Sequence, residues 1–139
     1  MNNAFNLAKS KSTPFESQYP YTATNGKCPR RLPVGIPTIK GYVAIVDDIV
    51  GANWHNNVIQ ALQKGPLSCA LYACNWGSYG SGILADTCST GTSVNHGILV
   101  VGYGVYTDGT PFWKIRNSWG ASWGMNGDLL IRRNPNGYD

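Results

Sequence analysis

Charge is what this sequence has least of. Only 13% of its 139 residues are charged, against 42% hydrophobic, and that balance excludes a disordered, self-repelling chain. The eleven Lys and Arg exceed the seven Asp and Glu by a formal +4, yet they are scattered. The densest basic group, Lys27, Arg30 and Arg31, lies in a Pro-rich loop. No helix or aromatic platform carries that charge, so it reads as a solvated surface, and nucleic acid is not an expected partner. No apolar run approaches the roughly 18 residues of a membrane span, so no membrane is expected either. The opening Met1-Asn2-Asn3-Ala4-Phe5 has neither a charged nor an apolar region of signal-peptide type. No Asn-x-Ser/Thr sequon marks glycosylation. Seventeen Gly, eight Pro and five Trp leave little room for a helical bundle and favour strands joined by tight turns.

A metal knuckle is also wanting. Cys69 and Cys74 are too far apart for a CxxC pair, and Cys28 and Cys88 do not mirror them. Zinc is therefore a minor third reading, and no cofactor is expected. An even count of four cysteines allows two disulfides, with three connectivities open.

The apolar spacing predicts a helix over Asn2 to Lys9, with no cap before it. Residues 10 to 38 read as loop, broken by Pro14, Pro20, Gly26, Pro29, Pro33, Gly35 and Pro37. A β-branched stretch predicts a strand over Gly41 to Val46. Asn53 is the candidate N-cap of a helix to Lys64, with Val58, Ala61 and Leu62 on one face and Gly65-Pro66 as its stop. Strands are predicted at Leu67 to Tyr72, Gly97 to Tyr103, Phe112 to Asn117 and Asp128 to Arg132. The Gly97 strand is too uniformly apolar to be half exposed, so it is expected to be central. Thr107-Asp108-Gly109 signals a hairpin turn, and short connections make the last strands antiparallel neighbours. Asn75 to Gly82 reads as a loop that presents backbone. The composition changes near residue 40, where loop gives way to a β-rich unit.

Two of these strands carry the chemistry. His96 opens one, Asn117 closes the next, and Trp119 follows two residues later. A thiol attacks as its thiolate, which an adjacent imidazole can hold as an ion pair. A side-chain amide oxygen accepting from the ring N–H would fix that imidazole in one tautomer. An indole laid over the bond would keep water from it. Singly, each residue has a bland explanation as packing or turn. Together, in this order and spacing, they point to a cysteine-type catalytic centre.

The blocks Ser93-Val94-Asn95-His96-Gly97 through Gly102-Tyr103-Gly104, and Asn117-Ser118-Trp119-Gly120 with Trp123-Gly124-Met125-Asn126-Gly127, resemble those of the papain and cathepsin family of cysteine proteases. Gly65-Pro66-Leu67-Ser68, Tyr79 with Ser81-Gly82-Ile83, and Tyr19-Pro20-Tyr21 before Gly26-Lys27-Cys28 are similar too. The resemblance implies an α+β papain-like fold. Residues 1–40 would be the tail of the helical left-hand domain, and 41–139 the β-barrel-like right-hand domain. It implies a peptidase in which His96 and Asn117 are catalytic and Trp119 is the shield. Met1, Ala70, Val94, Asn95 and Gly97 would contact a peptide or protein substrate. The first two, with Val94 and Gly97, would line an apolar pocket open to Leu, Val or Phe. Trp123 would lie on the leaving-group side.

The same resemblance makes the absence of a nucleophile conspicuous. The family's reactive Cys, and the Gln that steadies the oxyanion, have no counterpart here. They are expected on an N-terminal half, in the same precursor or on a separate chain, so the 139 residues alone are expected to be inactive. Cys28 and Cys88 match family cysteines whose partners would lie before Met1 and just past Asp139. Cys69 is expected as an inert core thiol, and Cys74 is open to pairing with Cys88. The family's cysteine usage implies a lysosomal, vacuolar or secreted protein. The alternative is a non-catalytic homologue serving as a structural or binding subunit.

Overall fold

A computed structural model describes residues 1–45, 53–85 and 93–133. They fall into two compact units, Met1–Ala44 and Ile45–Asp139.

In the first unit, helix α1 (Asn2–Ser10) is present and buries no residue completely. Its Phe5 stacks on Tyr42 with ring centroids 5.1 Å apart. The Ala8 carbonyl accepts from the Ile39 amide at 3.1 Å. Thr13 and Ile36 form a lone β-bridge, where a Cβ on Gly35 would meet the Thr13 carbonyl oxygen at 2.1 Å. The strand expected from Gly41 is not formed over 41–45, and Val46 lies outside the described residues. Tyr42 is taken up by the ring stack, and Val43 is 83% exposed. A β-branched pattern with no ladder to join does not become a strand.

Among its described residues the second unit is a five-stranded sheet with one α-helix and a short 3-10 turn. Helix α2 (Trp54–Leu62) follows Asn53, whose side chain makes no cap hydrogen bond. Strands β1 (Leu67–Leu71), β2 (Ile83–Leu84), β3 (His96–Val105), β4 (Pro111–Arg116) and β5 (Asp128–Arg132) lie in the order β1-β3-β4-β5-β2. The β1–β3, β3–β4 and β4–β5 pairs are antiparallel, and β2 runs parallel to β5. Two residues of β2 are too few for a sequence period to register, which is why only pairing reveals it. The hairpin between β3 and β4 turns at Gly109, with φ +85°, and Asp108 Oδ1 accepts from the Thr110 amide at 2.9 Å.

Val58 of α2 joins Ile98, Val100, Trp113, Ile115 and Leu129 in one core. Fully burying a side chain such as Ile115 or Leu129 contributes about 1.5–3 kcal/mol each. β3 is interior to the sheet, as its apolar run predicts. It is nevertheless half exposed: Gly97, Leu99 and Tyr103 face solvent while Ile98 and Val100 are buried. Period-two geometry imposes that alternation whatever the side chains are.

Cys69 packs against the core from β1, and its thiol points 3.6 Å from the Ala70 carbonyl oxygen. Burial pushes its pKa up, which favours the unreactive thiol. Cys28 and Cys69 are free thiols. Cys74 is partnered, and Cys88 lies outside the described residues. Among the described residues no cluster of His, Cys, Asp and Glu could hold a metal ion, and no helix is long and apolar enough to cross a membrane.

Candidate active site

The sheet brings His96 and Asn117 together because β3 and β4 are adjacent and antiparallel. His96 starts β3, opposite Leu71 of β1. Asn117 follows the last residue of β4, and its amide donates to the Gly127 carbonyl at 2.9 Å. That bond ties Asn117 to the turn before β5. The residues before His96 are tied down as well. The Asn95 amide donates to Leu71 O at 3.0 Å, and Asn95 Oδ1 accepts from the Ala73 amide at 2.8 Å. The Asn95 side chain is thus engaged with backbone.

His96 Nε2 lies 2.8 Å from Asn117 Oδ1. The assignment of oxygen and nitrogen in that amide is settled by its neighbour. Ser118 N, which can only donate, lies 2.8 Å from the same Oδ1, so the atom there must be an acceptor. His96 Nε2 therefore carries the proton, and in the neutral ring Nδ1 is left as the acceptor. Asn117 is only 7% exposed, so its bond to His96 is shielded. Its Nδ2 is buried and finds no hydrogen-bond partner among the described residues.

Trp119 stands beside this pair, its ring centroid 5.3 Å from that of His96, but it is 45% exposed. Trp76 is the wall that the sequence reading passed over. It is 2% exposed and meets His96 in a T-shaped contact at 5.8 Å. It also meets Trp119 at 6.4 Å. Trp76 belongs to the segment taken for a backbone-presenting loop, and its one legible signal was a large aromatic among Gly and Ser. That segment is held by side chains. Trp123 Nε1 donates to Trp76 O at 3.1 Å. The Tyr79 hydroxyl donates to Gly82 O at 2.7 Å and accepts from the Leu130 amide at 3.2 Å. Trp123 is thereby packed between Tyr79 and Trp119, at 5.6 and 5.1 Å.

Ala70 and Gly97 are direct cross-strand partners. Both are exposed, on the face opposite Cys69 and Ile98. A Cβ on Gly97 would meet nothing within 4 Å, so open space lies over it. Val94 is exposed just before His96, and Met1 is exposed in the other unit.

The end of β4 is also fixed by charge. Asp128 is nearly buried and forms an ion pair with Arg116, its register partner, and with Lys114 at 3.1 Å. The hydrogen bonds from Arg116, more than those from Lys114, hold the Asp128 carboxyl below its ordinary range against the opposing effect of burial.

The chain was compared with known proteins. Residues 1–138 match a family model described as papain family cysteine protease. The chain is 38% identical over 146 residues to cysteine endopeptidase Rep1 of Oryza sativa subsp. japonica, covering 100% of itself and 37% of that protein. The chain thus spans well under half the length of this relative. Among solved structures it is similar to digestive procathepsin L 3 of the Tenebrio molitor larval midgut, with a TM-score of 0.81, 31% identity, and coverage of 99% of this chain and 44% of that one. It is also similar to the bromelain protease of Ananas comosus, solved in complex with the E64 inhibitor, with a TM-score of 0.79, 32% identity, and coverage of 96% and 60%.

Proposed function

The chain belongs to the papain family of cysteine proteases and has its α+β fold, and on that premise we propose that it is the imidazole-bearing part of a Cys-His-Asn endopeptidase. One observation carries this reading. Asn117 Oδ1, fixed by the Ser118 amide, accepts from His96 Nε2 at 2.8 Å, which leaves Nδ1 aimed at proton transfer.

The nucleophilic thiol and the oxyanion Gln come from polypeptide outside these 139 residues. The thiol proton passes to His96 Nδ1, and the thiolate adds to the peptide carbonyl carbon. As the C–N bond breaks, the imidazolium returns that proton to the leaving amine, and a thioester remains. Water then attacks, with Nδ1 taking its proton, and the thiol is regenerated. Asn117 supports the ring throughout by favouring the Nε2–H form. Trp119 excludes water from one side.

Residues 1–40 complete a helical domain in this proposal, and 41–139 form the β-rich one. Ala70, Gly97 and Val94 are assigned to an apolar pocket for a substrate side chain. The open space over Gly97 supports that. Asn95 supplies backbone next to it, and Trp123 lies on the leaving-group side. A lysosomal, vacuolar or secreted location is part of the proposal, supported by the digestive midgut protein among the similar structures.

The test is hydrolysis of a fluorogenic peptide. The 139-residue chain is expected to give no turnover alone, and turnover inhibited by E64 when joined to polypeptide carrying the Cys and Gln. Turnover by the chain alone, abolished by His96→Ala, would overturn the division of the site. A Ser or Gly at the nucleophile position would instead establish the non-catalytic homologue.

A further inference from the structure

Among the described residues, the aromatic contact to His96 that is sealed from solvent comes from Trp76, not from Trp119. Trp76 sits on a three-residue 3-10 turn after Asn75, which takes a left-handed conformation with φ 58°. Such a short turn has little stability of its own. It is held instead by four bonds. The Tyr79 amide donates to Trp76 O at 3.0 Å, Trp123 Nε1 donates to the same oxygen at 3.1 Å, and Tyr79 Oη is anchored on Gly82 and Leu130. The indole therefore has a fixed seat, perpendicular to the His96 ring at 87° and 5.8 Å.

From that geometry we propose that Trp76 is a positioning residue for His96. It closes the space into which the imidazole would otherwise swing away from Asn117. Asn117 offers one hydrogen bond, and one bond permits rotation about it. Trp119 cannot stop that rotation alone, because it is 45% exposed and free to move with solvent. Trp76 is buried behind the ring and does not yield. The loop 75–82 then serves the site directly: the Trp76 indole, held by Tyr79 and Trp123, keeps the general acid–base in register. The proposal rests on the peptidase reading of His96, but its test does not need activity.

The measurement is the ring 15N shifts of His96, taken by NMR on the full 139-residue chain at one fixed pH. These shifts report the fraction of imidazole in the Asn117-bonded Nε2–H form. Trp76→Leu, which removes the ring, is expected to lower the ratio of bonded to unbonded imidazole by up to about tenfold, the factor one aromatic pair contributes. Trp76→Phe is expected to restore most of it. The amides of Ile98, Ile115 and Leu129 are expected to stay protected in both. An unchanged ratio in folded Trp76→Leu would overturn the proposal and reduce Trp76 to packing. Should Trp76→Leu not fold, Trp76→Phe decides. Its smaller ring is expected to give a ratio measurably below that of the unsubstituted chain, and an identical ratio would overturn the proposal. Neither negative result touches the peptidase reading. Conversely, a chain with the expected NMR response that yields no activity when joined to the Cys-bearing polypeptide would end the peptidase reading alone.

Discussion

Replacing Tyr79 by Phe isolates what holds the 75–82 segment to the sheet. The change deletes one oxygen from a residue that is almost fully buried, so it opens almost no cavity. Two backbone groups lose their partner: the Gly82 carbonyl, 2.7 Å away, and the Leu130 amide, 3.2 Å away. Each such bond contributes about 1 kcal/mol net, and a buried amide left without a replacement costs somewhat more. Destabilisation of about 2–3 kcal/mol follows. Burial raises the Tyr79 pKa, so the hydroxyl stays protonated and able to donate through neutral pH, and the loss should not vary with pH there. Urea unfolding followed by Trp fluorescence is the assay. For a slope of about 1–3 kcal/mol/M, the midpoint should fall by roughly 0.7–3 M with the slope unchanged. A loss below about 0.5 kcal/mol would refute the reasoning, since it would mean that the hydroxyl bridges nothing of consequence.

The Asp128 ion pair predicts a pH-dependent effect. Its depressed pKa means that its stabilisation is present above the ordinary carboxylate value near ~3.9 and is lost as pH falls through the lower folded value. Asp128→Asn should therefore cost about 1–2 kcal/mol at pH 6, a figure kept small because Arg116 and Lys114 are about half exposed. The difference from the unsubstituted chain should shrink below about pH 4, as read by thermal unfolding at several pH values; a gap that stays constant to pH 2 would contradict the assignment. Thiol titration of the denatured, unreduced chain should find Cys28 and Cys69 reactive, since both are free thiols; failure of either to react would contradict that assignment.

What was legible in the sequence follows from how far each signal reaches along the chain. Helix α2 and strands β1, β3, β4 and β5 were readable because each has a local period and a local stop. His96 and Asn117 were readable because strand ends are positions that sequence can place, and adjacency of β3 and β4 follows from a short hairpin. The Gly41 strand failed because β-propensity without a partner means little. β2 was invisible because its identity rests on pairing with β5. Trp76 was invisible for the same kind of reason. It lies 20 residues from His96 and 43 from Trp119 in the chain, and nothing local announces that these rings meet. Cys69, by contrast, could be assigned to the core face by strand alternation, once the family resemblance had placed its neighbour Ala70 on the substrate side.

The central claim is that His96, held by Asn117, is the acid–base of a cysteine peptidase. It is tested most directly by peptide hydrolysis in the chain joined to the Cys-bearing polypeptide, with and without His96→Ala. The account predicts a fall in kcat of about 1,000-fold or more, the order seen when one member of a catalytic triad is removed. Urea unfolding would confirm that the variant remains folded. Activity within tenfold of the unsubstituted protein would contradict it.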